Sequence, residues 1–280
     1  MGWSRASSSW RTGWFPRFHR QQKAVRLIQY HRSFDLSGSA VLDCAPRLAI
    51  PSALLPVEPP LREIPPGLQA YLAELHETHP QLSPILGILP HLSTVASTVD
   101  RNFDDPAFWR NAVGATIIIG PVVRRLLTMP RLSDYAVSEA EFDLLMVQEM
   151  VRLACLMLLS AIKGRFGLNT LDMGPLWTKF SRLLSQPLDN IPRQIQQLRL
   201  WALMVSGLVQ PAEGRAAPLV LSVVNTMAVM GLSSSLDAVN AVKRLVWVGI
   251  LEEQQVALLA QEIDKLSGAD AILGSALGEN

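Results

Sequence analysis

The chain has 280 residues, 49% of them hydrophobic and 18% charged, with a formal net charge of +1. That balance excludes a polar disordered chain, and it excludes nucleic-acid binding by bulk positive charge, which works by setting cations on phosphates. The charge is unevenly spread: residues 1–34 carry seven Lys/Arg and no acid, leaving 18 bases against 24 acids, a net of −6, in the rest.

Residues 1–23 read as a disordered leader. Trp10, Trp14, Phe15 and Phe18 interleaved with Arg11, Arg17 and Arg20 mimic a basic aromatic patch, and the Arg/Ser-rich, acid-free composition resembles a mitochondrial presequence. Gly13 and Pro16 interrupt any amphipathic helix there. Residues 24–66 are expected to be extended and proline-rich with one short helix, because seven prolines fall between 45 and 66. Cys44 and Cys155 are the only cysteines. Two distant cysteines make neither a disulfide framework nor a four-ligand zinc site, and Cys155, within an apolar helix, is expected to be a buried thiol.

From about Gly67 to residue 280 the pattern is helix after helix, with short loops and no alternating strand. The expected fold is all-α, an irregular multi-helix array. Asp105 before Pro106 caps a helix over 106–128, although its run Ile117 to Ile119 is also compatible with a buried strand. Ser138 with Glu141 has the spacing of a capping box and opens a helix of about 26 residues. Phe142, Leu145, Met146, Glu149, Leu153, Leu156, Met157 and Ser160 form a three/four-spaced stripe along it. Further helices are expected over 173–185, 191–209, 215–231, 235–250 and 252–266, with Pro192 in a first turn and Ser234 with Asp237 as a cap.

Two stretches approach the length of a bilayer-spanning helix. Ala216 to Leu236 carries no charge but contains polar residues, Pro218 and Gly231, while 141–163 is interrupted by Glu149 and Arg152. Buried core helices account for both, and no membrane partner is expected.

Reactive motifs are missing. The sequence has no phosphate-binding glycine loop, no GxSxG elbow and no HExxH, so no catalytic, cofactor-binding or metal-ligating set is expected. His76-Glu77-Thr78-His79 puts two histidines three apart, yet Pro80 follows at once, which is the pattern of a helix end. Adjacent acids occur at Asp104-Asp105 and Glu252-Glu253, where helix starts explain them better than magnesium ligation. Trp109, Trp177, Trp201 and Trp247 are read as core anchors. The charges that call for explanation are Glu149 and Arg152, three residues apart inside the most apolar helix. They are either a salt bridge that fixes packing or a polar spot that senses an effector.

Four segments carry a family likeness: Leu36-Ser-Gly-Ser-Ala40 with Ala45-Pro-Arg-Leu48, Glu149-Met-Val-Arg152-Leu-Ala154 with its apolar continuation, Leu200-Trp201 through Gly207, and Gly231-Leu-Ser followed by Val242-Lys-Arg-Leu-Val-Trp247. Over residues 24–266 the chain resembles the helical regulatory region of fungal-specific zinc-cluster transcription factors. The resemblance implies an all-helical fold, a nuclear role in transcriptional control through protein partners or a small-molecule effector, and no catalytic residues. The family's DNA reader needs six cysteines, so direct DNA binding by this chain is not expected; a lost domain or a misjudged start site would explain the difference. The rival readings are a terpenoid- or prenyl-type enzyme on a helical scaffold and an organellar helical protein.

Overall fold

A computed structural model describes residues 38–39, 42, 44–48, 64–134, 138–168, 173–188, 190–210, 215–251 and 253–277. The expected leader, and most of the proline-rich segment, lie outside the described residues. Within them the fold is all-α, and no strand occurs.

Helix α1 (Pro66–Thr78) starts with proline in its first turn and buries Leu68, Leu72 and Leu75, one face at helical spacing. A 3₁₀ turn (Pro80–Leu82) and the short α2 (Ser83–Leu86) lead to α3 (Leu89–Arg101), whose buried face includes Leu92, Val95, Ala96 and Val99. The Asp105 carboxylate accepts the Ala107 N–H at 2.8 Å, as the sequence leads one to expect.

The helix it opens is much shorter than expected. Only α4 (Pro106–Trp109) follows, and a separate helix, α5, runs over Ala112–Thr128. Asn111 explains the break: its side-chain oxygen accepts the Gly114 N–H at 2.8 Å and starts a new helix in the middle of the expected one. The Ile117–Ile119 run is helical.

Helix α6 (Glu139–Arg165) is the centre of the molecule. From Asp143 to Ser160 every residue is buried except Glu149, so the three/four-spaced stripe does not describe it: this helix is enclosed on all sides. Its capping box is also different from the expected one. The Ser138 hydroxyl donates to the Glu141 carboxylate at 2.9 Å and accepts no backbone N–H. Helix α7 (Met173–Leu184) returns along α6, and α8 (Arg193–Leu208) packs against it more extensively than any other described element. Asp143 near the start of α6 accepts the N–H of Asn190, which precedes α8, so both helices enter the core at the same end.

Helix α9 (Ala217–Met230) and α10 (Ser235–Lys243) cover α8, and α11 (Glu253–Leu277) covers α9. Ser234 caps α10 by accepting the Asp237 N–H, as expected. The expected continuation of α10 to residue 250 is corrected: the helix ends at Lys243. The indole of Trp201, in the middle of α8, donates to the Val246 carbonyl at 2.7 Å, and the Gly249 N–H donates to Asp100 at 2.7 Å. Backbone groups held by those distant side chains are not free for a helical ladder. Trp247 therefore sits in this irregular turn, with the Lys243 ammonium 5.2 Å from its ring centre. Helix α11 runs eleven residues past the expected 266.

Gly231 ends α9 with φ +72°, and the next N–H, of Leu232, reaches back to the Met227 carbonyl at 2.9 Å. This is a left-handed cap that a side chain disfavours. Gly231→Ala is expected to cost about 1 kcal/mol, read as a lower urea midpoint at unchanged slope; an unchanged midpoint would show that the cap is unstrained.

Candidate functional site

Arg152 has no exposed side-chain surface, and Glu149 retains 12%. One helical turn separates them, so both side chains leave α6 on the same side. The Arg152 Nε donates to one Glu149 carboxylate oxygen at 2.8 Å and its Nη2 to the other at 2.6 Å. This is the two-pronged fit for which a planar guanidinium suits a carboxylate. Of the two readings open from sequence, the geometry is that of an intrahelical salt bridge that lets a charge exist inside the core.

Other polar side chains are buried in the same two central helices. Gln148 and Ser160 of α6, and Gln196 and Ser206 of α8, are at most 3% exposed. They are spread along the helices over several turns and do not converge on one point. Asp143 lies close enough to Arg199 to support its charge, while burial lowers the Arg199 pKa below its ordinary value. Cys155 is buried, as expected, and its thiol is pushed up by desolvation, so it is protonated and unreactive. The Arg215 side chain, fully buried, was missed from sequence. Its Nε donates to the last turn of α8 at the Gly207 carbonyl (3.0 Å), and its two terminal nitrogens reach Glu262 at 2.8 Å and Gln255 at 3.2 Å on α11. A lone arginine in a connecting segment gives no local signal of this, since its carboxylate partner is 47 residues away.

The remaining sequence candidates fall into structural roles. His76 Nδ1 is 3.2 Å from the Ser83 hydroxyl, and His79 follows the last turn of α1, donating its backbone N–H to Leu75. Among the described residues no group of three or more His, Cys, Asp and Glu is placed to hold a metal ion. Asp105 is a cap, Glu253 begins α11, and Glu252 lies outside the described residues. Trp201 is a core anchor with no exposure. Trp177 stacks on Phe180 at 5.7 Å between ring centres. Trp109 is half-buried among Phe103, Phe108 and Phe166, with its indole donating to the Phe103 carbonyl at 2.6 Å.

By length and composition, Pro80–Arg101 and Glu141–Arg165 are apolar enough to cross a membrane, and the second is 89% buried inside the fold. The uncharged stretch 216–236 is not one straight helix, because α9 and α10 meet at 82°. No family model matches the chain, and no curated protein or solved structure matches it.

Glu149→Gln removes the carboxylate that grips the buried guanidinium by two prongs and is expected to cost about 3 kcal/mol. Replacing both members of the pair, Glu149→Leu with Arg152→Met, is expected to recover part of that loss in chemical denaturation, since it removes the buried charge together with its carboxylate. Equal loss in the single and double variants would contradict the pairing.

Asp100 supplies a pH signature. The residue is exposed overall, yet partial desolvation of its carboxyl, only partly offset by the Gly249 N–H, raises its pKa above the ordinary carboxylate value. The folded state therefore holds the proton more tightly than the unfolded chain. That contribution is complete below the unfolded value of about 3.9 and is lost as pH rises through the higher folded value. Asp100→Asn keeps an acceptor for Gly249 and removes this dependence. Its stability relative to the parent chain is expected to improve between pH 3 and 7; a flat difference across that range would refute the shift.

Proposed function

We propose that the chain is a non-enzymatic helical regulatory domain of the fungal-specific transcription factor type. It acts through protein contacts or a small effector and carries no zinc cluster of its own. The observation that supports this reading most is where the likeness-bearing residues fall. Glu149 and Arg152 form the ion pair of the central helix. Trp201 joins α8 to the turn at Val246. Gly207 lies where an added Cβ would stand 3.0 Å from the Leu219 side chain and 3.4 Å from that of Leu259, so α8, α9 and α11 pack tightly around it. Three of the four segments that resemble the family thus lie in the packing of the central helices, residues 36–48 falling partly outside the described residues, and such a core presents its outer surfaces to partners.

With two cysteines in all, promoter recognition on this reading belongs to a partner or to a separate DNA reader, and the site of action is the nucleus. Tethering the full chain to an unrelated DNA-binding domain in a fungal host is expected to change transcription of a reporter bearing that domain's sites. Unchanged output from a fusion that is expressed, nuclear and folded would count against the regulatory reading. Stabilisation on melting by magnesium with a prenyl diphosphate would favour the helical-enzyme alternative.

A further inference from the structure

Helix α9 has an outer face that nothing among the described residues covers. Leu221 is 48% exposed and Val229 57%, with Pro218, Asn225 and Ala228 also exposed, and Leu236 at the start of α10 is 66% exposed. No charged residue occurs from Ala216 to Leu236.

The face is symmetric about its one exposed amide. Leu221 and Val229 stand four residues either side of Asn225, and the small Ser222 and Ala228 three either side. Offsets of three and four fall on one side of a helix, so these residues form a single strip. Turned about an axis through Asn225, the strip presents a large apolar residue opposite a large one and a small residue opposite a small one. This is the requirement of an isologous contact, in which one patch must complement itself. The amide at the centre both donates and accepts, so it can pair with its own copy across the axis. A single polar residue in an apolar helical seam also fixes register. A charged residue near the axis would face its own like charge, and the strip has none.

We infer that α9 is a self-association surface: two copies of the chain pack their α9 helices antiparallel, with Asn225 on the twofold axis and Leu221 of each against Val229 of the other. The helix has 14 residues and is about 21 Å long. A contact of that length lies at the small end of specific interfaces, below about 1,200 Å² in total. The dimer is therefore reversible, and it exists independently of whether the chain regulates transcription.

Sedimentation velocity on the full chain over about 1–200 μM, spanning the range of weak specific complexes, tests this directly. The parent chain is expected to pass from monomer to dimer, and Leu221→Glu to weaken the dimer at least tenfold while leaving the melting curve unchanged. Adding Val229→Lys to the same chain sets Glu against Lys twice across the axis and is expected to restore association; both sites are exposed, so folding is preserved. Three results would each overturn the proposal: a parent chain monomeric throughout, a dimer indifferent to Leu221→Glu, or adsorption of α9 to lipid vesicles in place of self-association.

Discussion

A guanidinium with no contact to water stands near the middle of the longest well-enclosed helix, and the rest of the packing is arranged around that fact. Stripping an ion of water costs several kcal/mol, and only a partner of opposite charge held in good geometry returns it. Glu149 lies one turn before Arg152 on the same helix, so the pair is formed as soon as the helix is. The ion pair is thus local, while its consequences are long-range: α5 and α7 close over α6, and α8 lies along it. Reading such a pair as structural also fits its surroundings: among the described residues no group of three or more His, Cys, Asp and Glu is placed to hold a metal ion, and burial keeps the Cys155 thiol that feels the Arg152 charge protonated.

The second half of the fold is held by a different kind of contact, side chains reaching backbone or caps far away in sequence. Arg215 ties the end of α8 to α11. Asp264 on α11 accepts both the N–H and the hydroxyl of Ser235, at 3.1 and 2.7 Å, and so caps α10 from outside. Tyr71 donates to the Gln194 carbonyl at 2.7 Å and joins α1 to the first turn of α8. Helix ends leave unsatisfied backbone groups; the Arg215 and Asp264 contacts satisfy such groups, and all three contacts link helices distant in sequence. The helices that touch α8 from opposite sides are thereby tied together through their ends.

What could be read in advance follows the range of the interaction. Caps that operate over two or three residues, Asp105 with Ala107 and Ser234 with Asp237, were legible, as were the extents of α7, α8 and α9. The break at Asn111 was not, because an asparagine inside an apolar run competes with a continuous pattern and only the folded backbone shows which wins. The end of α10 was hidden for a second reason: Trp201, 45 residues earlier, takes the Val246 carbonyl. Helix α6 misled by its periodicity, since a helix with neighbours on all sides has no polar face to mark its phase. At the candidate site, Glu149 and Arg152 stood out because charge is rare in such a segment. Arg215 did not, because nothing adjacent in sequence announces a buried cation.

Helices α6 and α8 form one closed core whose internal charge serves packing. Native-state hydrogen exchange of the full chain tests it most directly. Amides of α6 from 143 to 160 and of α8 from 200 to 208 are expected to exchange only through global unfolding, with a common denaturant dependence. Exchange of the turns around Glu149 and Arg152 through a separate, low-energy opening would contradict the claim, and would mark that pair as the gate of an internal binding site.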